Sequence, residues 1–258
     1  MSIPRLGPQP TLFPPASSAD EDGLVAWGGD LRPERLVAAY SRGIFPWPHD
    51  GMPLLWFSPD PRMVLPLRPD PTSSPDANAP PGEAPGEAPP ARFGPRVSRR
   101  LARTLRQGRF EMRLDSAFSE VIAACADTPR AYESGTWITP AMQRAYIRLH
   151  ELGVAHCAEA WLDGRLVGGI YGLALGGVFC GESMFHRERD ASKAALVTLA
   201  RQLAAWDFDL FDAQLPTAHL SSLGFQPWPR ARYLRRLERS LQRPTRVGPW
   251  RLEIDPKA

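Results

Sequence analysis

The stretch AHCAEAWLDGRLVGGIYGLALGGVFCGESMF, residues 155–185, decides the fold. Asp163-Gly164 is a strong hairpin signal, and Gly176-Gly177 marks a second turn. Apolar, strand-forming runs flank both turns. The spacing predicts a three-stranded meander at about 155–162, 165–174 and 178–185. In the third strand, alternation puts Val178, Cys180, Glu182 and Met184 on one face and Phe179, Gly181, Ser183 and Phe185 on the other. A glutamate between Cys180 and Met184 on a buried face is costly unless it is paired. Glu182 is therefore a candidate functional carboxylate, and the alternative is an edge strand with Glu182 in water.

Working outward, TWITPAMQRAYIRLHELG upstream reads as a helix. Thr139 caps it, Pro140 takes the first helical position and Gly153 stops it. Met142, Ala145, Tyr146, Leu149 and Leu152 make its apolar face. Downstream, a helix is predicted at about 191–206, a strand FDLFDAQ at 208–214 and a short helix near 217–222. A last strand-like piece and a basic helix around 231–242 follow. This is the element order of an N-acetyltransferase-like (GNAT) fold, an α/β (α+β) arrangement with a mixed, largely antiparallel sheet. Element order alone does not fix function. In FDLFDAQ, alternation aligns Phe208, Leu210, Asp212 and Gln214. Asp212 and Gln214 then emerge at the strand's C-terminal end, where open α/β sheets place ligands. The plain alternative is a strand that simply reaches water.

The chain divides at residues 69–95, a Pro/Ala/Gly-rich run with nine prolines that suits neither a helix interior nor a central strand. Three parts are expected: a small N-terminal domain at 1–68, the linker or insertion at 69–95, and a GNAT-like domain at 96–258. In the first part, LVAWGGDLRPERLVAAYSRGIFPWP holds one clear helix with Asp30 as cap, Leu36, Val37 and Tyr40 as apolar face and Gly43 as stop. At 43% hydrophobic and 23% charged, the 258 residues suit an ordinary globular protein. Cys125, Cys157 and Cys180 are odd in number and widely spaced, which fits a reducing cytoplasm. No run approaches the ~20 apolar residues a membrane helix needs, and MSIPRLGPQPTLFPP lacks a signal pattern. The expectation is a cytoplasmic protein.

Charge is segregated. Residues 96–110 carry Arg96, Arg99, Arg100, Arg103, Arg106 and Arg109 with no acid, and residues 230–258 carry nine basic against three acidic side chains. The remainder is acidic. Such a pattern suits a polyanion held at one place and chemistry done elsewhere, although a solvated helix face reads equally well. Spacings of three and four put most of the 96–106 arginines on one stripe. Trp47, Trp56, Trp137 and Tyr146 are either core or, on loops, stacking surfaces. No Walker A, GxGxxG or HExxH occurs, and His150 and His156 lack ligand spacing, so no metal is expected. His219, Ser221 and Asp212 lack a nucleophile-elbow sequence around them. An acetyl-CoA enzyme needs a glycine-bearing pyrophosphate loop before its central helix, and HRERDASKAAL has no glycine.

The motifs GGDLRPERLVAAYSRGIFPW, LLWFSPDPR, GTWIT, RLHELGVAH, CGESMF, DASK and FDAQ occur in the order seen in leucyl/phenylalanyl-tRNA–protein transferases. The sequence resembles that family over most of residues 12–240. The resemblance implies a monomeric bacterial aminoacyltransferase without cofactor. It would move Leu, Phe or Met from aminoacyl-tRNA to an N-terminal Arg or Lys and so create an N-degron. It implies Asp212 and Gln214 as the catalytic pair assisting the acceptor amine, and Trp47 and Trp137 around the terminal adenosine. Tyr146, Glu182, Ser183 and Thr217 match other pocket positions, and Met184 and Leu196 match apolar lining. Arg99, Arg103 and Arg106 match the tRNA-contacting region. Thr217 stands where the family commonly has Asn, and Phe211 replaces an aliphatic residue. The alternatives are a CoA-dependent acetyltransferase and a non-catalytic RNA-binding protein.

Overall fold

A computed structural model describes residues 3–48, 51–70, 93–128 and 136–257. Most of the expected linker, 69–95, lies outside them. The elements run β1 (Arg5–Leu6), β2 (Leu24–Gly28), α1 (Pro33–Tyr40), β3 (Phe45–Trp47), β4 (Leu55–Phe57) and β5 (Arg62–Pro66). Then come α2 (Arg99–Arg106), β6 (Glu111–Leu114), α3 (Phe118–Ala126) and α4 (Pro140–Glu151). The meander follows as β7 (Ala155–Leu162), β8 (Arg165–Leu175) and β9 (Val178–His186). The chain closes with α5 (Ala191–Ala205), β10 (Leu210–Asp212), α6 (Ala218–Ser222), β11 (Gln226–Trp228) and α7 (Arg230–Ser240).

Two sheets result. The smaller has order β1-β2-β4-β3; the larger has order β11-β5-β10-β9-β8-β7-β6. In the larger sheet only β10 and β9 run parallel, so it is mixed and largely antiparallel, as the GNAT-like reading expects. The segment 1–68 therefore gives its last strand, β5, to the large sheet, between β11 and β10. One apolar layer holds α3, α4 and α7 side chains such as Ile122, Tyr146 and Leu237. The opposite layer holds α5 through Ala195, Leu196 and Leu199, with Phe179 and Trp250. Burial of these layers from both faces is what lets β8 read as an almost unbroken apolar run.

The local signals work where expected. Thr139 accepts from the Met142 amide at 3.2 Å and caps α4. Ser98 caps α2 in the same way, from Leu101. Asp30 does not cap α1; Arg32 holds that position, and Asp30 instead binds the Arg32 amide and the Arg35 guanidinium.

Strand parity fails at two places, each with a local cause. The β8–β9 register shifts between Tyr171 and Gly172: Tyr171 pairs with Ser183 but Gly172 pairs with Gly181, leaving Glu182 as an extra residue. Cys180 and Phe185 consequently share one apolar layer, while Phe179 and Met184 share the other, so Glu182 and Met184 are not on one face. A Cβ on Gly172 would collide with the Cys180 carbonyl, so the bulge needs glycine opposite it. In FDLFDAQ only Leu210–Asp212 is strand. Phe208 and Leu210 lie in opposite layers. Gln214 has a left-handed backbone, φ 55°, which an L-residue adopts only when its surroundings hold it there.

Candidate active site

A cavity of about 170 Å³ opens where the two sheets meet. Its walls are Phe45, Pro46 and Trp47 of β3, Trp137 before α4, Glu182 at the bulge, and Ala213 to Leu215 after β10. Thr217 and Leu220 close it. The site is mostly apolar with a few convergent polar groups, which is the ordinary make-up of a small-molecule pocket.

Two buried polar clusters back this cavity. In the first, Asp212 is 0% exposed. Arg62 grips it bidentately, Nε to Oδ1 at 2.8 Å and Nη2 to Oδ2 at 2.7 Å, and the Tyr233 hydroxyl donates to Oδ2 at 2.9 Å. The Gln214 amide donates to Asp212 Oδ1 at 3.0 Å. Burial acts to lower the Arg62 pKa, but the Asp212 charge beside it prevails and the net shift is upward. Asp212 thus lies behind the wall and fixes the backbone that carries Gln214. Gln214 itself is 8% exposed and lines the cavity.

In the second cluster, Glu182 accepts from the Tyr40 hydroxyl at 2.7 Å and from the Tyr146 hydroxyl at 3.0 Å. The two hydroxyls are 2.5 Å apart. Burial pushes the Glu182 carboxyl up to about 7, against both tyrosine hydrogen bonds. Asp212 adds to the rise and Arg62 opposes it. Glu182 is therefore a carboxyl that changes charge near neutral pH while lining the cavity.

Of the residues expected from sequence, the structure brings Trp47, Trp137, Glu182, Gln214 and Thr217 to one hollow. Tyr146 contributes through Glu182. Thr217 uses its hydroxyl to cap α6, accepting from Leu220 at 3.1 Å; the family's Asn is equally a capping residue. Met184 and Leu196 do not join them. Leu196 is buried in the α5 layer and Met184 packs against that layer, because the bulge reverses the parity that alternation assumed. Ser183, half-buried, is likewise not a wall of the cavity. Sequence reasoning missed Tyr40, Arg62 and Tyr233 as site residues. Arg62 heads the apolar run MVLPL, and a buried arginine demands a carboxylate, which was the available signal.

Arg99, Arg103 and Arg106 stand exposed on α2 and have no ion pair among the described residues. Leu101 and Leu105 anchor that helix against Ala194 and Val197 of α5. Arg100 and Arg109 are engaged with Asp190 and Glu188. Among the described residues no group of three or more His, Cys, Asp or Glu could hold a metal ion, and no helix is long and apolar enough to cross a membrane.

Comparison with known proteins agrees along nearly the whole chain. The family model described as leucyl/phenylalanyl-tRNA protein transferase matches residues 90–238, and that for its N-terminal domain matches 29–60. The chain is 48% identical to the leucyl/phenylalanyl-tRNA–protein transferase of Myxococcus xanthus, over 93% of this chain and 92% of that one. The protein of the same name from Nitratidesulfovibrio vulgaris strain DP4 is 50% identical over 95% and 94%. That of Aromatoleum aromaticum is 52% identical over 90% and 87%. The matched spans include β3 and β9, whose residues line the cavity, and α1, α4 and β10, whose Tyr40, Tyr146 and Asp212 back it, and the chain belongs to the leucyl/phenylalanyl-tRNA–protein transferase family.

Proposed function

We propose that this chain is a cytoplasmic, monomeric aminoacyltransferase that moves Leu, Phe or Met from aminoacyl-tRNA to the N-terminal Arg or Lys of a protein, marking it for degradation. The observation that carries the reading is the apolar cavity with Glu182 and Gln214 in its wall and Trp47 and Trp137 at its side. The aminoacyl ester is already activated, so the enzyme must chiefly align an amine with the ester carbonyl, and alignment alone is worth several kcal/mol. Trp47 and Trp137 offer faces for the terminal adenine. Phe45, Pro46, Leu215 and Leu220 offer apolar wall for the amino-acid side chain. Discrimination there is by size and branching, about 1–3 kcal/mol per methylene, so that shape selects Leu over the β-branched Ile and leaks Met.

Gln214 positions the attacking amine, and Asp212 positions Gln214. Glu182 takes the amine's proton as nitrogen bonds to the carbonyl carbon, then returns it to the ribose oxygen as the ester C–O bond breaks. A carboxyl titrating at about 7 suits both halves of that exchange. Arg99, Arg103 and Arg106 grip phosphates without reading sequence, so transfer weakens steeply with salt. A coenzyme A reading is disfavoured at α5, where the Asp190 carboxylate, paired with Arg100, precedes the helix that would have to receive pyrophosphate. The test is incubation with leucyl-tRNA and an Arg-initiated peptide across a salt series, read by mass. A gain of one leucyl residue, lost with salt and after Arg99→Ala/Arg103→Ala/Arg106→Ala, is expected. No gain at any salt concentration refutes the reading.

A further inference from the structure

A second cleft, of about 550 Å³, lies beside the cavity with α6 between them. Thr217 and Leu220 line the cavity, whereas Ser221 and Gly224 line the cleft. The opposite wall is the segment Phe93–Val97. It is fixed in place by backbone hydrogen bonds from Arg96 to the Leu223 carbonyl (2.8 Å) and from Gly94 to the Pro66 carbonyl (2.9 Å). Ser98, the next residue, caps α2, whose exposed arginines begin at once. The cleft therefore lies on the path from the arginine helix to the cavity.

Its chemistry is particular. No lining residue carries a carboxylate. Arg96 is exposed and has no ion pair among the described residues. Phe93 is 43% exposed and is the one aromatic among the large apolar side chains that are exposed in the described residues. An open aromatic face beside a cation without an ion pair among the described residues, with no acid among the lining residues, is the combination that holds single-stranded nucleic acid: bases stack, phosphates are neutralised and sequence matters little.

We propose that this cleft holds the unpaired cytidines that precede the terminal adenosine of the aminoacyl-tRNA, with Phe93 stacking one base and Arg96 neutralising one phosphate. The inference rests on the function proposed above. It says how the donor's single strand runs between the duplex gripped at α2 and the ester in the cavity.

Three leucyl donors test it with Phe93→Ala and Arg96→Ala: full tRNA, the trinucleotide CCA, and adenosine alone. Both substitutions should raise the KM for tRNA and for the trinucleotide, Phe93→Ala by roughly tenfold. Arg96→Ala should also lower the salt slope for tRNA by about 1. Neither should alter transfer from the adenosine ester, which lacks the cytidines and controls for folding. Equal losses on all three donors, or no loss on any, overturn the inference while leaving the proposed function intact. A loss confined to full tRNA also overturns it, since the cleft then meets the duplex. A wild-type chain that transfers from none of the donors overturns the proposed function and this inference with it.

Discussion

The two polar clusters behind the cavity use similar parts and do different things. Each has a carboxyl bonded to tyrosine, and each takes one member from the first 68 residues: Arg62 of β5 in one, Tyr40 of α1 in the other. Asp212 meets a guanidinium in a bidentate pair, whereas Glu182 meets only hydroxyls among the described residues. A hydroxyl stabilises a carboxylate by a hydrogen bond but brings no opposite charge, so burial wins and the Glu182 carboxyl rises to about 7. The first cluster is thus a strut under Gln214, and the second can hold or release a proton beside the substrate. The comparison also explains why the first 68 residues cannot be read as an appendage: without Tyr40 of α1 and Arg62 of β5 both carboxyls lose a partner.

The largest effect should come from breaking the strut. Asp212→Asn leaves Arg62 buried without its counter-charge. Loss of one partner of a buried pair costs about 3–5 kcal/mol, which in a chain of this size lowers the Tm by on the order of 10 °C. Calorimetry checks this. The same variant removes a charge that raises the Glu182 pKa and keeps Arg62, which lowers it. Any residual activity should therefore show its pH inflection below the wild-type position. An unchanged Tm would mean that Asp212 is not the strut the geometry describes.

Glu182→Gln should reverse the pattern, costing rate and not stability. Loss of a positioned proton acceptor slows transfer by roughly 100-fold or more in single turnover. The sign of its stability effect follows from the raised pKa. The protonated form is favoured in the fold, so in the wild type Glu182's contribution is complete below the ordinary value of 4.5 and is lost as pH rises through about 7. In Glu182→Gln that fall in stability between the two values should flatten, as measured by denaturation at a series of pH values. A Glu182→Gln enzyme with wild-type rate would remove Glu182 from the chemistry.

What sequence made legible follows from distance along the chain. The meander was readable because Asp163-Gly164 and Gly176-Gly177 act locally, and the α4 start was readable because Thr139 and Pro140 do. Trp47, Trp137, Glu182, Gln214 and Thr217, expected from sequence as site residues, line one hollow, whereas Met184 does not. The errors arose where tertiary contact overrides alternation. The bulge at Glu182 moved Met184 to the far layer, and the left-handed Gln214 ended β10 early. Arg62–Asp212 spans 150 residues and Tyr40–Glu182 spans 142, so no window of sequence contains either pair. Only the rule that buried charge and buried hydroxyls need partners hints at them.

The finest contrast is the same substitution made once in each cluster. Tyr40→Phe removes a hydrogen bond that favours the ionised Glu182, so its pKa rises further. A hydrogen bond to a charged group is worth about 1.5–3 kcal/mol, which corresponds to an upward move of the rate inflection by about one to two pH units. Rate at pH values well above the new inflection should be nearly preserved, because Glu182 and Tyr146 remain in place. Tyr233→Phe removes one hydrogen bond to Asp212 Oδ2, yet both Arg62 contacts persist. It should cost stability of about 1.5–3 kcal/mol and leave the inflection where it is. Matched pH–rate profiles of the two variants decide the matter. If both shift the inflection, the clusters behave as one electrostatic unit. If only Tyr40→Phe does, proton handling belongs to Glu182 and support to Asp212, and a single missing hydroxyl is enough to tell them apart.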